Sequence, residues 1–366
     1  MKMKKRLGQA LTGVLLAALL LAGCSGGNTG SGAAEGTREV TDAAGRVVTI
    51  PSEVKKVAPL GVGALRYILY DGGVDQLAGV EQNDLDVPVT KAASYAYQEE
   101  LKKLPVIGDS GTPYEEELMK ASPDVIITSN DGKSADDLQN KTGIPVVTMP
   151  ITDKVFDDEI YNALNLVGDV LGKQERSQEV VDYMKSVAED LKSRTGDIPQ
   201  DKIPTAYCGA VSFKGAHGIE GTEAGYPPFS ALGITNVADE TGKKGAFDVD
   251  LEQILKWNAD YLFLDAGNLK LVKDDYAVRP DFYNELKAVQ DKKVYSQVAY
   301  RFNGTNTELA LANAYYVGCV VYPEAFADVD IAKKTDEITK KCWACPTARS
   351  LRTRALISGQ LHWENS

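Results

Sequence analysis

Tyr300-Arg301-Phe302-Asn303 sets a guanidinium between two aromatic rings, after a run that reads as a strand and before a helix beginning near Thr307. Charge-assisted hydrogen bonds and ring stacking are what an anionic ligand with a flat face requires. A second concentration lies between Ser212 and Phe229, where Ser212, Phe213, Lys214, His217, Glu220, Glu223, Tyr226 and Phe229 share a polar, glycine-rich stretch too long for a plain connector. Arg66, just inside a helix after the strand Val57 to Leu60, and Tyr95 and Tyr97, in a polar aromatic loop, are the candidates nearer the N-terminus. The plainer alternatives are a helix-surface ion pair for Arg66 and simple packing for the two tyrosines. From these segments the expected ligand-binding set is Arg66, Tyr95, Tyr97, Ser212, Phe213, Lys214, His217, Tyr300, Arg301, Phe302 and Asn303.

Catalysis has little to stand on. His217 has no serine or cysteine beside it in a nucleophile elbow, and Gly61-Val62-Gly63 lacks the Gly-Lys-Ser/Thr that completes a phosphate loop. With only His217 and His362 in the chain, neither bare zinc or manganese binding nor a structural zinc site built on Cys342-x-x-Cys345 is expected. Cys208 and Cys319 stand alone in apolar surroundings and read as buried free thiols. No cofactor, metal site or enzymatic activity is predicted.

These loops need a scaffold. Short β-branched runs, Val125 to Thr128, Val146 to Thr148 and Tyr261 to Leu264, alternate with helical stretches, as in α/β lobes with buried strands. Roughly 300 residues exceed what one core usually serves, so two lobes are expected. Val180, Met184, Val187 and Leu191 form one apolar stripe on a helix from about Gln174 to Arg194, and Ile160, Leu164, Val167 and Leu171 keep the same period before Gly172. The segment Glu116 to Asp124 before one strand is echoed by Glu252 to Asp260 before another, which points to equivalent lobes.

At the N-terminus, Lys2, Lys4, Lys5 and Arg6 precede an apolar run, Leu11 to Leu21, too short to span a bilayer. The following Leu21-Ala22-Gly23-Cys24 resembles the bacterial lipobox, which implies cleavage and acylation of Cys24. Residues 25–37, rich in Gly, Ser, Ala and Thr, read as a leash reaching about 20 Å. Losing the leader, with four basic and no acidic residues, takes the formal net charge from −12 to −16. So acidic a body is a poor nucleic-acid binder and needs its lipid to stay at a membrane.

From Arg38 to Lys341 the chain resembles one family, the cobalamin, haem and ferric-siderophore class of periplasmic binding proteins. The likeness rests on Val40-Thr41-Asp42-Ala43-Ala44-Gly45-Arg46-Val47-Val48, which is similar to the family's opening hairpin, on Pro123-Asp124-Val125-Ile126-Ile127, and on Leu286-Lys287-Ala288-Val289 with Val294-Tyr295. It implies two Rossmann-like α/β lobes joined by a single long spanning helix, with the ligand in the cleft between them. It also implies an ABC permease dimer with its ATPase as partner, and a ferric siderophore or similar chelate as ligand, with haem or cobalamin as alternatives. Glu116 and Glu252 match the surface glutamates by which each lobe meets the permease. A sensory or scaffolding lipoprotein on the same fold is the competing reading.

The expected organisation is a leader over 1–23, a lipid-anchored linker over 24–37, a first lobe over 38–152, interlobe helices over 153–196 and a second lobe over 197–341. Residues 342–366 form an atypical tail. They hold two of the three tryptophans and three of the eleven arginines without helical or strand period. A frame change would produce such a segment, and it is expected to pack poorly.

Overall fold

A computed structural model describes residues 36–88 and 90–343; the leader, Cys24 and the tail after Trp343 lie outside the described residues. The chain opens on an antiparallel hairpin, β1 (Thr37–Thr41) with β2 (Val47–Pro51), turning at Gly45 with φ 76°. Thr37 is thus already in a strand, so the leash ends earlier than its composition suggests. Asp42 ties the hairpin to the body, accepting from Arg46 and from the Thr148 amide.

The first lobe is built on strands β3 (Val57–Leu60), β4 (Val80–Glu81), β5 (Val106–Asp109), β6 (Thr112–Pro113), β7 (Val125–Thr128) and β8 (Val146–Thr148), all parallel to their neighbours but β6. They form one sheet of order β3-β7-β8 and a smaller one of order β4-β5-β6, in which β6 runs antiparallel. The second lobe holds β9 (Thr205–Gly209), β10 (Gly221–Ala224), β11 (Thr235–Asn236), β12 (Gly245–Asp248), β13 (Tyr261–Asp265) and β14 (Val294–Gln297). Its parallel sheet has the order β11-β9-β13-β14, and β10 pairs with β12 as a separate antiparallel ribbon. β3, β7 and β8 are buried along their whole length, which is why they read as unbroken apolar runs.

The two lobes repeat one local plan. Helix Glu115–Ala121 ends in Ser122 at φ 50°, and Asp124 then accepts the amides of Lys55 and Lys56 just ahead of β3. Helix Leu251–Trp257 ends in Asn258 at φ 44°, and Asp260 accepts the amide and hydroxyl of Thr205 at the start of β9. In each lobe a left-handed residue stops the helix and an aspartate two positions on fixes the neighbouring strand.

The lobes are joined by helix Gln174–Thr195, 22 residues and so about 33 Å long. Its stripe Val180, Met184, Val187 and Leu191 is buried, each side chain contributing about 1.5–3 kcal/mol. It packs on helix Asp158–Leu171, which covers helix Ala64–Tyr70 of the first lobe, and on helices Thr307–Val321 and Ile331–Cys342. Among the described residues no helix is long and apolar enough to cross a membrane.

The expected start of the atypical tail is corrected at two residues. Cys342 closes the last helix, and Trp343 is buried in the main core; Arg176 donates to the carbonyls of Lys341 and Cys342. The apolar stripe of Ile331–Cys342 continues into the indole, a reach that composition alone hides. Cys208 is a buried free thiol as expected, whereas Cys319 is only half-buried.

Candidate functional site

Three loops leave the C-terminal ends of the adjacent strands β9, β13 and β14, where open parallel sheets present their ligands. They carry Ser212 to Ala216, Gly267 and Asn268, and Ala299 to Gly304. With Lys243 and the Ala246-Phe247-Asp248 strand they line a cleft of about 890 Å³, to which Thr90 and Asp153 contribute from the other side. A second chamber of about 740 Å³ shares Asp153 and Lys243 and adds Phe156, Glu223, Asp239 and Lys244.

The first chamber gathers three rings, Phe213, Phe247 and Phe302, and three cations, Lys214, Lys243 and Arg301. The Lys243 ammonium sits 4.4 Å from the centre of the Phe247 ring. Asn268 ties the loops together, its amide donating to the Ala210 carbonyl and the Ser212 hydroxyl, both at 2.9 Å. His217 stands behind the cleft rather than in its lining. Its ring stacks on Phe213 at 3.8 Å, with Nδ1 2.8 Å from Asp248 and Nε2 2.7 Å from the Phe213 carbonyl. It fixes the phenyl plane, so it acts as a support.

Arg301 is the most heavily bonded side chain in the cleft. Nε donates to Glu223 at 3.1 Å and Nη2 to the other Glu223 oxygen, while Nη1 donates to Asp153 at 2.9 Å and Thr305 Oγ1 at 3.0 Å. Tyr300 is buried, and its hydroxyl donates to Glu223 at 2.9 Å. Burial, then the Glu223 charge, pushes the Tyr300 phenol well above its usual range, which keeps it a neutral donor. Tyr300 therefore belongs under the floor of the cleft, while Phe302, 41% exposed, and Asn303, at φ 51°, face it.

Arg66 is no surface residue. It is 5% exposed and crosses between lobes, donating to the carbonyls of Thr305, Asn303 and Phe302 at 2.9, 3.0 and 3.3 Å. Gly304 permits this approach: at φ 85°, a side-chain carbon there would come within 2.9 Å of Val62. Arg66 positions the Arg301 loop from behind and does not line the cleft.

Tyr95 and Tyr97 depart furthest from expectation. The run Ala92–Ala96, which reads as part of a polar aromatic loop, is a short helix, favoured by its three alanines. Tyr97 is 2% exposed in the first-lobe core, and Tyr95 borders a separate acidic depression with Asp86 and Glu99. Conversely, Asp153, Lys243, Phe247, Asp248 and Asn268 belong to the cleft walls although the sequence does not single them out, and Glu223, one of the Ser212–Phe229 stretch, lies beneath Arg301. Asn268 is reachable by the strand-end argument applied to Tyr261–Asp265, and Lys243-Lys244-Gly245 carries a basic, glycine-marked signal. Asp153 has none, since it pairs with a residue 148 positions away. Glu116 and Glu252 are both exposed, each second in its helix.

Residues 64–298 match the periplasmic binding protein family, and the chain belongs to it. It is 27% identical to the molybdate-binding protein MolA of Haemophilus influenzae, over 83% of this chain and 90% of that protein. It is 26% identical to the Fe(3+)-citrate-binding protein YfmC of Bacillus subtilis, over 77% and 86%. A periplasmic solute-binding protein of Veillonella parvula shares the fold with a TM-score of 0.67 at 19% identity, covering 87% of this chain and 97% of that one. This is a substrate-binding protein of an ABC transporter, working outside the cytoplasmic membrane with permease and ATPase partners; it binds a small ligand and catalyses no reaction.

Proposed function

We propose that this chain is the lipid-anchored receptor of an ABC importer and captures an anionic, ring-bearing metal chelate, a ferric siderophore first, with haem or a corrinoid as the nearest alternatives. The lining of the first chamber carries this reading. Phe213, Phe247 and Phe302 share it with Lys214, Lys243 and Arg301, which outnumber the carboxylates Asp153 and Asp248, and rings with cations suit a ligand that presents both flat faces and negative charge. The volume fits a medium-sized molecule and far exceeds what one tetrahedral oxyanion fills. In this reading Ser212, Asn303 and Asn268 orient the ligand, while Arg66, His217 and Tyr300 hold the loops that touch it.

Cys24 acylation would keep the body near the permease, and Glu116 and Glu252, on equivalent helices of the two lobes, would meet basic groups on a two-fold permease dimer. The similarity to the molybdate-binding protein favours a second reading, a bare oxyanion held by the same cations. Purification from the native host followed by an absorption spectrum separates the two, because haem, corrinoid and ferric chelates have distinct visible bands and molybdate has none. A colourless protein that takes up molybdate and no ferric chelate or haem in titration would replace the first reading by the second.

A further inference from the structure

Two carboxylates of unlike standing hold Arg301. Glu223 grips Nε and Nη2 from beneath with a side chain 3% exposed, whereas Asp153 meets Nη1 from the cleft side with a side chain 74% exposed. Asp153 borders both chambers. Its backbone is fixed by its neighbour: Thr152 donates to Glu159, accepts from the Lys154 amide, and offers its carbonyl to Thr305. A rotation of the Asp153 side chain alone therefore frees one Nη1 N–H of the guanidinium, while Nη2 keeps its contact with the Asp153 carbonyl at 3.4 Å and Nη1 its bond to Thr305.

We infer that Asp153 is an internal stand-in for the anionic group of the ligand, covering Arg301 while the cleft is empty and giving way when an anionic chelate enters. The inference rests on the proposed contact between Arg301 and the ligand. The energetic contrast supports it. Separating Arg301 from Glu223 would strand a buried charge, which is strongly unfavourable. Separating it from Asp153 returns an exposed carboxylate to water, which costs little. The exchange has a consequence for selectivity: a ligand must bring an acid group that outcompetes a tethered aspartate, so neutral molecules of the same shape are penalised.

Ferric citrate, a ferric tris-catecholate and haem, titrated by quenching of intrinsic fluorescence, provide the test. For the chelate that binds, Asp153→Asn should tighten affinity two- to fivefold, equivalent to about 0.4–1 kcal/mol. The same substitution should have no effect when Arg301→Gln is combined with Glu223→Gln, a background that leaves no buried charge uncompensated. That background alone should bind at least tenfold more weakly than the unaltered protein. If it binds equally well, the proposed Arg301 contact is wrong, and if none of the three probes binds, the chelate reading falls and this inference with it. If the background weakens binding but Asp153→Asn does not tighten it, the stand-in role is overturned while the contact survives. Equal tightening in both backgrounds would reduce Asp153 to general charge repulsion and also overturn the role.

Discussion

Arg66 and Thr305 lie 239 residues apart, yet the guanidinium of the first donates to the carbonyl of the second at 2.9 Å, joining a helix of one lobe to the cleft loop of the other. Hydrogen bonds from charged groups contribute about 1.5–3 kcal/mol each. Arg66→Ala should therefore destabilise the protein by about 2–4 kcal/mol in urea denaturation, with the three bonds acting as one unit. Arg66→Lys should restore less than half, since an ammonium cannot reach three carbonyls in a planar fork. Full stability in the lysine variant would show that charge alone suffices there.

Asp265, at the cleft end of β13, has its carboxyl pushed up to about 7, by burial first; the Gly267 amide pulls the other way, and the Glu223 charge adds to the rise. An acid with a raised native value holds its proton while the unfolded chain has lost it. Stability from this site is therefore lost as pH rises from about 4 to 7 and is level above that. Asp265→Asn keeps an oxygen for Gly267 and removes the titration. It should stabilise the protein by up to about 4 kcal/mol at pH 8, shrinking to about 1 kcal/mol near pH 4.5. A stability difference that does not change with pH would contradict this assignment.

Cys24→Ala should move the protein from the detergent phase to the aqueous phase in membrane partitioning, or leave its leader uncleaved. Since the acidic body is repelled by anionic headgroups, no other attachment should compensate. Unchanged partitioning with complete processing would remove the proposed anchor.

Glu116→Lys with Glu252→Lys should abolish uptake and complex formation with the permease, because close interfacial charge pairs couple by about 1.5–7 kcal/mol. Both residues are exposed, so chelate affinity of the isolated protein should stay within about twofold, well under 1.4 kcal/mol. Normal uptake by the double variant would end the docking proposal.

The scaffold was legible in the sequence because its signals are local. A buried parallel strand must be apolar on both faces, so Val125 to Thr128 and Tyr261 to Leu264 announce themselves, and a helix with one buried stripe shows its period over Val180 to Leu191. Loops at strand ends were equally accessible, which brought Ser212, Phe213 and Arg301 into view. Failures came where a residue's role is set by a distant partner. Nothing near Arg66 announces three carbonyls more than 230 positions away, and Glu223 and Asp153 gain their meaning only from Arg301. Tyr95 and Tyr97 depart for a different reason: the segment that reads as a polar aromatic loop holds the alanine-rich helix Ala92–Ala96, and Tyr97 at its C-terminal end is buried.

Trp343 sits in the core beside the first turn of the spanning helix, where Arg176 holds the last carbonyls of helix Ile331–Cys342. The ribosome makes these residues after both sheets. The indole is therefore the last-made side chain of the described core, added after every strand of both lobes has been synthesised.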